Sequence, residues 1–225
     1  FGFTETTGFD LPGEATGSFH DLTRFNEVEL ATSSFGQSFT VTPLQLITAY
    51  SAITNDGKMV RPHVVKEIVA NDGTYVEKYE TEVIRQVIST ETSQTVRNIL
   101  EGVVSQGAGK NAYIKGFRVA GKTGTAQVAS GANNAIFVGF APYNNPKIAV
   151  VAIVEHGGEG YYLANMVKEI TNEYFDIYNF DGQKQKIQDS YNRAFYDLVS
   201  DMNNIVDDFF IEQVEKEGIV LYEKC

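Results

Sequence analysis

The sequence predicts an α+β fold: a three-stranded antiparallel sheet with helices packed on it, followed by a C-terminal amphipathic helix. Three observations carry this. Residues 117–127, 135–141 and 147–155 are rich in β-branched and aromatic residues, and short connections, one of them Tyr143-Asn144-Asn145-Pro146, make them an antiparallel meander. Residues 92–105 and 163–178 instead repeat apolar side chains at helical spacing. The first holds Val96, Ile99, Leu100, Val103 and Val104, the second Leu163, Val167, Ile170 and Tyr174. Beyond residue 181 the register Ile187, Tyr191, Ala194, Leu198, Met202, Ile205, Phe209 is that of a long amphipathic helix over residues 183–217.

The elements follow in order. Residues 1–40 are rich in Gly, Thr, Ser and Phe and read mostly as loop, with a turn at Asp10-Leu11-Pro12-Gly13-Glu14. Thr42, Pro43 and Gln45 then supply an N-cap, a proline at the first helical position and a capping-box partner. They predict a helix over residues 43–54 with Leu44, Ile47, Tyr50 and Ile53 on its inner face, stopped by Asn55-Asp56-Gly57. Asn71-Asp72-Gly73 marks a small hairpin within residues 60–79. The run Ile-Ala-Val-Val-Ala-Ile-Val at residues 148–154 reads as a strand buried on both faces, yet a three-stranded meander leaves it at a bare edge. Such an edge is expected to pair with another chain, be covered by the tail, or drive aggregation. One domain over residues 1–180 and an acidic helical tail over residues 181–225 complete the organisation.

Charge excludes some functions. With 18 basic against 29 acidic residues the net charge is −11, so a phosphate backbone would meet a repulsive field and nucleic acid is not an expected partner. The longest apolar run, residues 148–154, is far short of the about 20 residues that cross a bilayer. The single cysteine, Cys225, excludes an intrachain disulfide and any CxxC site. His20, His63 and His156 lack ligand spacing, so no metal and no cofactor is expected. The chain opens on Phe1 and is expected to be part of a longer protein.

Lys122-Thr123-Gly124-Thr125 lies on the first of the three strands. Alternation puts Thr123, Thr125 and Gln127 on one face and Lys122 on the other. Two hydroxyls on one face can grip a carboxylate, and Gly124, lacking a Cβ, lets a peptide backbone approach. Lys-Thr-Gly is a signature of penicillin-binding proteins and serine β-lactamases. Around it stand Thr7-Gly8-Phe9-Asp10-Leu11-Pro12-Gly13-Glu14, Ser34-Phe35-Gly36-Gln37, Thr42-Pro43-Leu44-Gln45, Gly57 to Pro62, Val119 to Gln127, and Phe137-Val138-Gly139-Phe140-Ala141-Pro142. Taken in order, these resemble the C-terminal part of the transpeptidase domain of class B penicillin-binding proteins.

The resemblance implies a peptidoglycan D,D-transpeptidase that cross-links stem peptides through an acyl-serine intermediate and is acylated by β-lactams. It casts Lys122 as the catalytic cation and Thr123, Gly124, Thr125 and Gln127 as the substrate-binding strand. The Thr125 N–H is then an oxyanion-hole donor. It also implies an extracytoplasmic, envelope-associated protein with its membrane anchor upstream. None of the eleven serines has a lysine three positions later, so the expected Ser-x-x-Lys nucleophile lies outside this chain, which by itself is expected to be inert. Ser190-Tyr191-Asn192 follows the Lys-Thr-Gly rather than preceding it and is set aside as chance. Two alternatives stay open: a non-catalytic binding or assembly module on the same scaffold, and a fragment of a serine β-lactamase or penicillin sensor. The tail helix over residues 183–217 is a possible surface for self-association or for a docking partner. Gly157-Gly158-Glu159-Gly160 lacks phosphate-loop spacing and reads as a flexible connection.

Overall fold

The computed structural model describes residues 1–70, 75–115, 117–128, 131–178 and 220–223. They divide into two units, Phe1–Arg97 and Asn98–Glu223, and the division falls within a helix.

In the N-terminal unit the capping signals work as the sequence predicts. Helix α2 (Pro43–Thr54) begins at Thr42, whose hydroxyl accepts from the Gln45 N–H while the Gln45 side chain accepts from the Thr42 N–H. Gln45 also accepts from the Gly17 N–H at 3.0 Å and donates to the carbonyls of Phe3 and Glu5 at 3.0 and 2.8 Å. One capping residue thus ties the N-terminal loop to the helix. The buried residues of α2 differ from the expected inner face: Ile47 is buried, but Leu44, Tyr50 and Ile53 are only half-buried. Thr48, Ala49, Ser51, Ala52 and Thr54 are buried instead, because small side chains allow close approach on more than one side.

A helix and a two-stranded ladder escape the sequence reading. Helix α1 (Glu27–Ser34) stands in the segment read as loop, started by a capping box between Asn26 and Glu29. It buries no residue, so no apolar stripe announces it. Strand β1 (Lys58–Val60) pairs antiparallel with β4 (Val83–Gln86), whose four residues are all exposed and carry no alternation. The expected hairpin is present as β2 (Glu67–Val69) paired with β3 (Tyr75–Lys78), while its turn at residues 71–73 lies outside the described residues.

Helix α3 (Thr90–Ser105) starts two residues earlier than predicted. Its buried positions are Ser93, Arg97, Leu100 and Val104, and Ile99, placed on the apolar stripe, is 63% exposed. Arg97, off the apolar stripe, is buried and pairs with Asp56 at 2.8 Å.

The C-terminal unit holds the main sheet, with β5 (Ala120–Ala126), β6 (Asn134–Ala141) and β7 (Ile148–Val154) in an antiparallel meander as predicted. Helix α4 (Leu163–Tyr178) spans the residues the periodicity marks. It buries Leu163, Val167 and Ile170 in one core with Phe137 of β6 and Val150 of β7. Each such side chain removed from water contributes about 1.5–3 kcal/mol. The sheet has four strands rather than three. Ile148 to Val151 of β7 pair with β8 (Val220–Glu223), which belongs to the tail. Ile148, Ala149, Val150, Val151 and Ala152 are each at most 4% exposed, so the strand is buried on both faces and its edge is covered by the tail. The helix expected over residues 183–217 lies outside the described residues.

Truncation after residue 217 is therefore expected to bare the backbone of residues 148–151. Their amides should exchange roughly tenfold faster or more, as ladder bonds worth about 1 kcal/mol each are lost, or the truncated chain should self-associate. Exchange rates and a solution mass identical to those of the intact chain would show that β8 does not cover this edge.

Candidate functional site

Strand β5 is the other edge of the sheet, and its outer side is unpaired among the described residues. Register with β6 sets Lys122 opposite Val138, Thr123 opposite Phe137, Gly124 opposite Ile136 and Thr125 opposite Ala135. Paired residues share a face, so Thr123 and Thr125 emerge on the side of Phe137 and Ala135, both core residues beneath α4. Lys122 and Gly124 emerge on the opposite side. The two hydroxyls and the ammonium can therefore meet one ligand only around the free edge of the strand. Both threonines are half-buried, while Lys122 is exposed and folds back so that its Nζ donates to the Thr123 carbonyl at 2.7 Å. Gln127 follows the last residue of the strand and is exposed, so the ladder does not align it with the threonines.

The segment after β7, read as a flexible connection, is pinned to β5 and to the start of β6. Asn134 accepts from the His156 N–H at 3.0 Å, and the Asn133 carbonyl accepts from the Gly158 N–H at 3.0 Å. His156 and Gly158 adopt φ of 56° and 78°, the left-handed conformation that turns the chain sharply back. A 3₁₀ turn, Gly160–Tyr162, then packs on the sheet. Gly160 is buried, and a Cβ there would collide with the carbonyl oxygens of Gly124 and Ile136. Its N–H donates to Thr125 Oγ1 at 3.4 Å, and Thr125 Oγ1 donates in turn to the Glu159 carboxylate at 3.3 Å. Glu159 and Gly160 are thus the residues that motif reasoning misses. The available signal was the density of glycines directly after an apolar strand, which marks close backbone approach as readily as flexibility.

Within this turn the Tyr161 and Tyr162 rings lie 4.0 Å apart, with Tyr162 60% exposed. Tyr161 titrates above its ordinary value, chiefly through its hydrogen bond with Tyr162. Elsewhere, a cavity of about 210 Å³ in the N-terminal unit is lined by residues including Thr7, Gln45, Thr48, Arg61 and Arg85, but by no serine, cysteine or histidine that could act as a nucleophile or base. The histidines are scattered: His20 pairs with Glu29 at 3.3 Å and His63 Nδ1 meets the Val65 carbonyl at 2.9 Å. Among the described residues no cluster of three or more His, Cys, Asp or Glu could hold a metal, and no helix is long and apolar enough to cross a membrane.

The comparisons converge. The model of the penicillin-binding protein transpeptidase domain matches residues 1–176. Stage V sporulation protein D of Bacillus subtilis is 44% identical over 163 residues, covering 69% of this chain and 25% of that protein. A probable peptidoglycan D,D-transpeptidase PenA of Neisseria meningitidis is 35% identical over 160 residues, covering 68% and 26%. Penicillin binding protein 3 of Mycobacterium tuberculosis superposes with a TM-score of 0.67 at 32% identity, covering 79% of this chain and 44% of that one. The chain spans about a quarter of the length of the curated relatives it matches. With the family's strand, its landmarks and its fold in place together, the chain belongs to the penicillin-binding protein transpeptidase family and is part of a class B transpeptidase domain.

Proposed function

We propose that this chain forms one wall of the active site of a D,D-transpeptidase that cross-links peptidoglycan stem peptides by serine acyl transfer. The observation that carries the proposal is Lys122-Thr123-Gly124-Thr125 on an edge strand whose outer side is unpaired among the described residues, in a chain of this family. A peptide can add along that edge by main-chain hydrogen bonds. Thr123 and Thr125 bind its carboxylate, Gly124 admits its backbone, and Lys122 supplies positive charge beside the nucleophile. The Thr125 N–H stabilises the developing oxyanion, and Gln127 lines the approach. The serine and its lysine base come from sequence preceding Phe1, as does the membrane anchor of an extracytoplasmic, envelope-associated protein. Residues 1–180 form the transpeptidase portion and residues 181–225 its tail, of which residues 220–223 add a strand to the sheet and residues 183–217 serve self-association or partner docking.

Penicillin binding protein 3 of Mycobacterium tuberculosis has been solved in complex with aztreonam and with ampicillin, which supports β-lactams as ligands here. Fluorescent penicillin should therefore label the full-length protein at a single serine and leave the 225-residue chain unlabelled, as read by intact mass. A full-length protein that takes up no label would instead favour a non-catalytic assembly module. Label on a serine of the chain itself would place the nucleophile inside it.

A further inference from the structure

Glu159 puts a carboxylate on the hydroxyl that is read as a carboxylate receptor. Its placement is fixed by the backbone on either side. Gly158 is tied to Asn133, Gly160 is wedged against the carbonyls of Gly124 and Ile136, and the Tyr162 N–H donates back to the Glu159 carbonyl at 3.3 Å. The side chain between these anchors reaches Thr125 Oγ1 at 3.3 Å, while the same oxygen accepts from the Gly160 N–H. A hydroxyl has one proton to donate. A ligand carboxylate that takes the Thr125 proton displaces Glu159 from it and then stands close to a like charge. Lys122 leaves the strand on the opposite face and its Nζ donates to the Thr123 carbonyl, so it forms no ion pair with Glu159.

We infer that Glu159 is a specificity-determining residue, an internal carboxylate that competes with carboxylate-terminated ligands for the Thr125 hydroxyl and so tunes how tightly they are held. The inference rests on the reading of Thr125 as a carboxylate-binding residue. Glu159 is exposed, so water and salt moderate the repulsion, and the effect is one of selectivity rather than exclusion.

The test uses the 225-residue chain, with N-acetyl-D-alanyl-D-alanine and its C-terminal amide as probes and the Thr125 and Gly160 amide resonances as readout. Glu159→Gln should bind the carboxylate probe about three- to tenfold more tightly than the unmodified chain, as expected when a partly screened like charge is removed. Affinity for the amide probe should not change. The gain should shrink as salt rises from about 0.05 to 0.5 M, over which the screening length falls severalfold. Equal affinity of both chains for the carboxylate probe, with Thr125 still responding, would overturn the role of Glu159 and leave the Thr125 reading standing. An unresponsive Thr125 in both chains would overturn the Thr125 reading and the inference with it. Equal tightening toward both probes would assign the effect to loop geometry and overturn competition by charge.

Discussion

Gly160→Ala is expected to destabilise the chain by about 1–3 kcal/mol, the usual cost of forcing an extra carbon into a closely packed place. For a chain of this size each kcal/mol lowers Tm by roughly 2–4 °C. The added Cβ meets two carbonyl oxygens, those of Gly124 and Ile136, which belong to hydrogen-bonded strands and have little room to retreat. The damage should reach the site, because the same residue's N–H holds Thr125 Oγ1. Thr125 and Glu159 resonances should therefore move together with the loss in Tm. Gly158→Ala is the control: its φ of 78° carries a backbone penalty, but nothing lies within 4 Å of the added carbon. Calorimetry that finds the Gly160 variant as stable as the unmodified chain would show that the turn is not wedged against β5.

The parts of the fold legible in the sequence are those where one physical signal acts alone. The capping box at Thr42 and Gln45 sets the start of α2, and the apolar stripe of Leu163, Val167 and Ile170 marks α4 over its full length. The unbroken apolar run of β7 announces burial on both faces and a need for cover at its edge. What escapes is structure held by interactions that pattern does not encode. Helix α1 has caps but no buried face, and β4 is an exposed four-residue strand defined by its partner. Arg97 reads as surface but is buried and paired with Asp56. That β8 supplies the cover for β7 follows from a pairing across some seventy residues of sequence, which no local propensity specifies.

The site divides in the same way. Lys122, Thr123, Gly124 and Thr125 are legible because alternation along a strand assigns their faces, and the register with β6 supports that assignment. Gln127 is less well served, since strand geometry ends before it. Glu159 and Gly160 reach Thr125 from 34 and 35 residues away, so only the tertiary packing of the turn on the sheet brings them in.

Lys122→Ala in the full-length protein is expected to slow acylation by fluorescent penicillin by about 10²–10³-fold, the scale found when one preorganised electrostatic group is removed from an acyl-transfer site. The loss should be chemical rather than structural. Lys122 is exposed, and among the described residues its ammonium donates to the carbonyl of the next residue, so Tm should hardly change. A folding defect would lower Tm and the labelled fraction together, whereas a missing charge lowers the rate constant at constant Tm. Lys122→Arg separates charge from shape. It keeps the charge but spreads it over a planar guanidinium, so a partial recovery of rate is expected if charge dominates and little recovery if a compact ammonium is needed beside the nucleophile. Thr123→Val should act differently, weakening binding of the ligand carboxylate more than the chemical step. An acylation rate constant in the Lys122→Ala protein equal to that of the unmodified one would remove Lys122 from the reaction and leave β5 as a binding edge only.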